Sequence, residues 1–225
     1  QTAFAILLAK HSNKGGSTSD ADEIVIGAPV ANREQVEVSS LVGFFTNSLV
    51  LRNKISDDPS FDAMLINSKE YLLDAYEHAQ LPFEKLVDEL KQERNLAYSP
   101  LFQIKLALQN NVQGEFDLPG LSSEKIEQSH SVALHDLSVD VYEVDSEAGL
   151  AVLKLDWEYA TALFDASTIE RMAIHFEVLL KGIIEAPQAR MSDLPFLTTT
   201  EVEALLAWSK WSELSEASSP ETEPD

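Results

Sequence analysis

The chain has 225 residues, 44% of them hydrophobic, enough for one large domain or two small ones and too apolar for a disordered chain. Sixteen basic residues stand against 38 acidic ones, for a net charge of -22, which argues against a nucleic-acid or anionic-membrane surface, since both need clustered Lys and Arg. There is no cysteine, so disulfides, thiolate metal sites and a Cys nucleophile are excluded, and a reducing cytoplasmic setting fits.

No apolar run approaches the 18 residues of a membrane span. The opening "QTAFAILLAKHS" has neither the basic start nor the small-residue cleavage site of a signal peptide, and reads as the end of a helix in a piece of a longer polypeptide. Residues 13–22 are a Gly/Ser-rich surface loop. "EIVIGAPV" is a short strand stopped by Gly27 and Pro29, and 31–41 is a loop. "LVGFFTNSLVLR" supplies a strand over about 44–53, with Asn47 and Ser48 as polar residues in an apolar run that need hydrogen-bond partners if buried.

The stretch 60–79 is an amphipathic helix, with Phe61, Met64, Leu65, Leu72, Ala75, Tyr76 and Ala79 at three- and four-residue spacings. A second helix starts at Pro82 and turns Phe83, Leu86, Val87 and Leu90 inward, with Glu84 in the first turn where the helix dipole favours an acid. "LFQIKLAL" alternates as a half-buried strand. Residues 109–130 form a long loop with a Pro-Gly turn. In "SVALHDLSVDVYEV" the apolar alternation changes phase, which a bulge near His135-Asp136 explains, and "LAVLKLDWEY" is a further strand. "STIERMAIHFEVLLKGIIE" is a helix with a capping box at Ser167 and Glu170, and His175 falls off its apolar stripe onto the solvated face. Thr200 and Glu203 repeat the capping pattern for a short helix through Trp208, followed by a disordered acidic tail. Strands interleaved with helices predict an α/β two-layer sandwich with a mixed sheet.

Chemistry-bearing patterns are sparse. The five histidines form no HExxH or other zinc pattern, no GxSxG elbow occurs, and Gly15-Gly16 lacks the rest of a phosphate loop. His135-Asp136 is a poorly placed base-and-orienter pair, because strand neighbours point to opposite faces.

Four ordered stretches go further: "VIGAPVANR" (25–33), "LVGFFTNSLVLR" (41–52), "HAQLPFEKLVDEL" (78–90) and "RNLAYSPLFQIKLALQN" (94–110). Together with "LHDLSVDVYE", "LDWEYATALFDASTIERMAIHFEVLL" and "MSDLPFLTTTEVEAL", they resemble the later motifs of the condensation domains of nonribosomal peptide synthetases, over roughly residues 1–212. The resemblance implies a chloramphenicol-acetyltransferase-like fold of two lobes, of which this chain is similar to the second. The family's HHxxxDG motif is absent from it, so no catalytic residue is expected here. Departures are His78-Ala79-Gln80 for the usual H-Q-D, Arg94-Asn95 for Arg-Asp, and His135 for an aromatic.

By resemblance, residues 1–195 form the C-terminal lobe and 196–225 a connector toward an adenylation domain. Arg33 pairs with the Asp of HHxxxDG on the other lobe. Asn47 and Ser48 either hydrogen-bond the pantetheine arm or catalytic histidine, or make a structural contact between strands. Gly27, Pro29, Asn32, Gly43, Pro82, Phe83 and Glu84 belong to the tunnel or its structural motifs, with 27–43 as floor loop and 109–130 as latch. No cofactor is bound directly, and substrates arrive on the 4'-phosphopantetheine of carrier proteins. The implied partners are the N-terminal lobe, upstream and downstream peptidyl carrier proteins and the adenylation domain, with self-association of an isolated lobe through its apolar face. The implied function is peptide-bond formation between carrier-bound substrates. A non-catalytic docking lobe and an epimerization-type member remain open alternatives.

Overall fold

The computed structural model describes residues 1–12, 23–33, 35–55, 57–91, 98–109, 121, 132–145 and 149–217, with side chains described up to 209. The loop at 13–22, Arg94-Asn95, nearly all of the expected latch and the tail from 218 lie outside these residues.

Five strands form one mixed sheet: β1 (Glu23–Val30), β2 (Asn47–Lys54), β3 (Ile104–Gln109), β4 (Leu137–Asp145) and β5 (Ala151–Tyr159), in the order β2-β1-β3-β4-β5. β1, β3 and β4 run parallel in the middle, and antiparallel β2 and β5 close the edges. The helices are α1 (Thr2–His11), the single-turn α2 (Val36–Ser39), α3 (Phe61–Glu77), α4 (Phe83–Glu89), α5 (Ala166–Glu185) and α6 (Thr199–Ala217). The main core lies between one sheet face and α1 and α5. Strand alternation puts Ile24, Ile26, Leu137 and Val139 on that face. Phe4 of α1 meets Trp157 of β5 and Phe176 of α5 edge to face at about 6 Å, a geometry that aligns ring edges with ring faces. The apolar run of α1 has no solvent face: Phe4 through Ala9 are all buried, while Lys10 and His11 at its end are half-exposed. This is the expected α/β two-layer sandwich.

Several local expectations change. β1 runs through Gly27 and Pro29 to Val30, because pairing with β2 continues along its whole length. β2 begins at Asn47, so 44–46 stay outside the sheet and Asn47 and Ser48 stand at the strand's start. The loop after β1 contains α2. β4 begins at Leu137, so the phase change at His135-Asp136 marks the strand's start rather than a bulge. The residue before α5 is Asp165, and no side chain caps that helix, so Ser167 and Glu170 lie inside it. At α6 the capping box sits two residues earlier than expected. The Thr198 hydroxyl accepts from the Glu201 N–H at 3.3 Å, and the Glu201 carboxylate accepts from the Thr198 N–H at 2.8 Å. α6 also continues past Trp208 to Ala217, into the segment read as disordered. Leu90 is exposed rather than inward-facing, and of the α3 stripe only Met64 is buried within the helix.

Candidate functional site: a cleft at the carboxyl ends of β1 and β3

The pairing of β1 with β3 is centred on Gly27 opposite Lys105. Two residues later Pro29 has no N–H to donate, so a parallel ladder cannot continue through it. Past that point the structure opens a cleft of about 830 Å³ between the sheet and α3. Its walls include Val30 of β1, Leu106 and Leu108 of β3, Leu72 and Tyr76 of α3, and Arg33. The carboxyl ends of parallel strands are where open α/β sheets place ligands, because the connections diverge there.

Gly27 has a steric reason to lack a side chain. A Cβ there would lie 2.2 Å from the Phe102 ring, which covers the sheet face opposite the main core. Phe102 in turn packs on Phe83, at 5.6 Å between centroids, and on His135, at 5.3 Å.

Asn32 has φ of 52°, a left-handed conformation that Asn tolerates better than most residues. The Arg33 guanidinium after it turns into its own loop. Nη1 donates to the carbonyls of Val38 (2.8 Å) and Leu41 (2.7 Å), Nη2 donates to Gly43 O (3.2 Å), and the group lies 4.4 Å above the Phe45 ring. One side chain thus gathers a carbonyl of the last turn of α2 and those that follow it, and shapes the 35–45 loop. That loop carries Val42 and Phe44 fully out into solvent.

Asn47 and Ser48 face opposite ways, as adjacent strand residues do. Asn47 Nδ2 donates to Ala79 O (2.8 Å) and Leu81 O (2.7 Å), and its Oδ1 accepts from the Phe83 N–H (3.1 Å). Pro82 occupies the N-cap of α4 and brings no hydrogen-bonding side chain, so Asn47 caps that helix from the strand. Its partners are therefore inside the chain, and the site motif around Pro82, Phe83 and the exposed Glu84 is held to β2 by this one amide. Ser48 is half-buried opposite Pro29 on the other sheet face. The structure thus brings Pro29, Asn32 and Arg33 to the cleft wall, with Gly27 at its root. Side-chain hydrogen bonds tie Gly43 to that wall through Arg33, and Phe83 and Ala79 to Asn47, while Ser48 stands apart.

His135 makes no hydrogen bond with Asp136 among the described residues. Its buried Nδ1 has no hydrogen-bond partner among the described residues, and burial, with Lys105 nearby, lowers its pKa. Asp136 instead uses its N–H on Gln103 O at 3.0 Å. The pair is not a base and its orienter.

His175, expected on the solvated face, is 3% exposed. Its Nε2 donates to the Glu201 carboxylate, at 2.9 and 3.0 Å, and its Nδ1 lies 3.1 Å from Nε2 of His11. Backbone and hydroxyl hydrogen bonds from Thr198, then that from His175, hold the Glu201 carboxyl down to about 2. Sequence reasoning missed this group because its members come from three helices, and only the Glu three residues after Thr198 signals part of it. No group of three or more potential ligands among the described residues could hold a metal, and no described helix is long and apolar enough to cross a membrane.

The family model for the condensation domain matches residues 1–206. The chain belongs to the condensation domain family. This condensation-domain chain is 39% identical over 208 residues to one of the linear gramicidin synthase proteins of Brevibacillus parabrevis, covering 92% of the chain and 3% of that protein. It is 36% identical over 205 residues to chondramide synthase of Chondromyces crocatus, covering 91% and 5%. Among solved structures it resembles the X-domain from teicoplanin biosynthesis, with TM-score 0.76, 24% identity and coverage of 87% and 43%. It also resembles the first condensation domain of the CDA synthetase, with TM-score 0.63, 18% identity and coverage of 88% and 41%. The chain therefore spans a few per cent of these curated relatives and about two-fifths of the solved domains that share its fold, which is the chloramphenicol-acetyltransferase-like one.

Proposed function

We propose that this chain serves as the C-terminal lobe of a peptide-bond-forming condensation domain in a nonribosomal peptide synthetase. The observation that carries the reading is the family match over residues 1–206. In this reading the amine of a downstream carrier-bound amino acid attacks the thioester carbonyl of an upstream carrier-bound acyl group. The C–N bond forms, the C–S bond breaks and the pantetheine thiol leaves. The HHxxxDG motif is not among these 225 residues, so the proton-handling groups belong to the other lobe. This lobe contributes shape.

Residues 1–195 are the lobe and 196–225 the connector toward an adenylation domain, in a cytoplasmic synthetase. The floor loop is 27–43, and the segment that Arg33 organises, with Val42 outward, is the part of it that meets the N-terminal lobe. An isolated lobe would self-associate through such surface. Arg33 acts first as the organiser of that loop and only through it on the Asp of the distant motif. Asn47 acts by holding α4 against β2, and Ser48 is the member of the pair left open to an arm or partner lobe.

The test is dipeptidyl-thioester formation by the full-length synthetase with both carrier domains loaded. Arg33→Ala is expected to lower the rate on the order of 100-fold, the scale of a small misplacement of reacting groups, with Arg33→Lys intermediate. Unchanged dipeptide formation in Arg33→Ala and Asn47→Ala would overturn these roles. Absence of any dipeptide product from the unaltered synthetase would overturn the function itself.

A further inference from the structure

Helix α6 extends over 19 residues, yet between Thr199 and Ser209 every side chain except Glu201 is exposed, including Val202, Leu205, Leu206 and Trp208. Over that described stretch α6 has no buried face, so nothing in the packing of these residues besides Glu201 fixes its direction. Glu201 is the exception because it reaches back to His175, which is buried in α5 and stacked at 5.2 Å on His11 of α1. Phe196, just before the helix, stands edge-on to both imidazoles, 5.9 Å from His11 and 5.3 Å from His175. The same carboxylate closes the capping box with Thr198. Burying a histidine with both ring nitrogens engaged is costly to undo, since removal of one partner strands a buried polar atom.

We infer that the His11–His175–Glu201 group is a single-point pivot that sets the direction of α6 relative to α1 and α5, so that the helix is carried as an arm fastened at its first turn. The capping box shapes the start of the helix, and the histidine contact aims it. These are separable, because Gln at position 201 still closes a capping box while losing the charge.

The chain has no cysteine, so two spin labels can be placed cleanly, at Glu185→Cys on the end of α5 and Glu203→Cys on α6, both exposed. The unaltered background should give one narrow distance, and Glu201→Gln or His175→Gln should lose it to a broad, multi-peaked distribution. Thr198→Ala, which removes the hydroxyl hydrogen bonds of the capping box and leaves the histidine contact, should keep the narrow distance. A narrow distribution in Glu201→Gln overturns the pivot, as does a broad one in the unaltered background. Broadening by Thr198→Ala equal to that by Glu201→Gln also overturns it, because the cap alone then aims the helix.

Discussion

Helices α5 and α3 are similar in length, 20 and 17 residues, and both follow an apolar spacing, yet they relate to the fold in opposite ways. α5 buries Ile169, Met172, His175, Leu179, Gly182 and Ile183 against α1 and the sheet. α3 buries only Met64 and turns Leu65, Ile66, Tyr71, Leu73 and Tyr76 substantially to solvent. The first helix holds the fold together. The second walls the cleft with Leu72 and Tyr76 and leaves apolar surface outside. A periodic stripe therefore tells which side of a helix is apolar, without telling whether the neighbour that covers it belongs to the same lobe.

The sharpest way to break this contrast is to truncate one leucine from each helix. Leu179→Ala, at a fully buried position, should destabilise the chain by about 3 kcal/mol, within the 2–5 range for core truncations. Leu73→Ala, at 55% exposure, should stay within about 0.5 kcal/mol. Urea unfolding monitored by far-UV circular dichroism measures both, and equal losses would erase the distinction. Next in size, Gly27→Ala should cost roughly 1–3 kcal/mol through overpacking on Phe102. Adding Phe102→Ala should recover part of that loss in a double-mutant cycle, whereas strict additivity would show that the two residues do not compete for one space. Asn47→Ala should cost about 1–3 kcal/mol by leaving the Phe83 N–H and two carbonyls without their partner. Ser48→Ala should stay within about 0.5 kcal/mol, and the reverse order would reassign the site.

The smallest effect is one of pH. Glu201 has a depressed carboxyl, so its contribution is complete above its ordinary 4.5 and is lost as pH falls from there through about 2. His11 is also depressed, first by burial and then by His175 and Arg171, so the folded state favours its neutral form and loses stability as pH falls below 6.5. Stability should therefore decline in two stages on acidification. Glu201→Gln should flatten the lower stage in urea titrations at stepped pH, and an unchanged profile would remove Glu201 as a source.

The residues that periodicity governs are legible in the sequence: the existence of the strands, the apolar stripe of α5, the α/β layering and the family motifs in their order. What escapes it are contacts that close over long sequence separations. Asn47 reads as a strand residue seeking a partner outside the chain, because nothing in its neighbourhood announces that α4 begins with a proline unable to cap itself. His175 reads as solvated, because an apolar stripe has no place for an imidazole until His11 and Glu201 arrive from either end of the chain. Arg33 reads as free to reach another lobe, because backbone carbonyls, which every residue carries, leave no mark in a sequence.

The burial of Phe4 through Ala9 in α1 has a consequence for how the chain is made. The helix closes its core only when α5 arrives, and about 155 residues separate His11 from Ala166. At roughly 5–20 residues per second, a ribosome leaves "FAILLA" without its final cover for roughly 8–30 s. During that interval the parallel strands, whose pairing is also long-range, are incomplete as well. The burden falls on the nascent chain, where an apolar helix must wait for its partner, and the 38 acidic residues spread along the sequence supply mutual repulsion between neighbouring chains while it does.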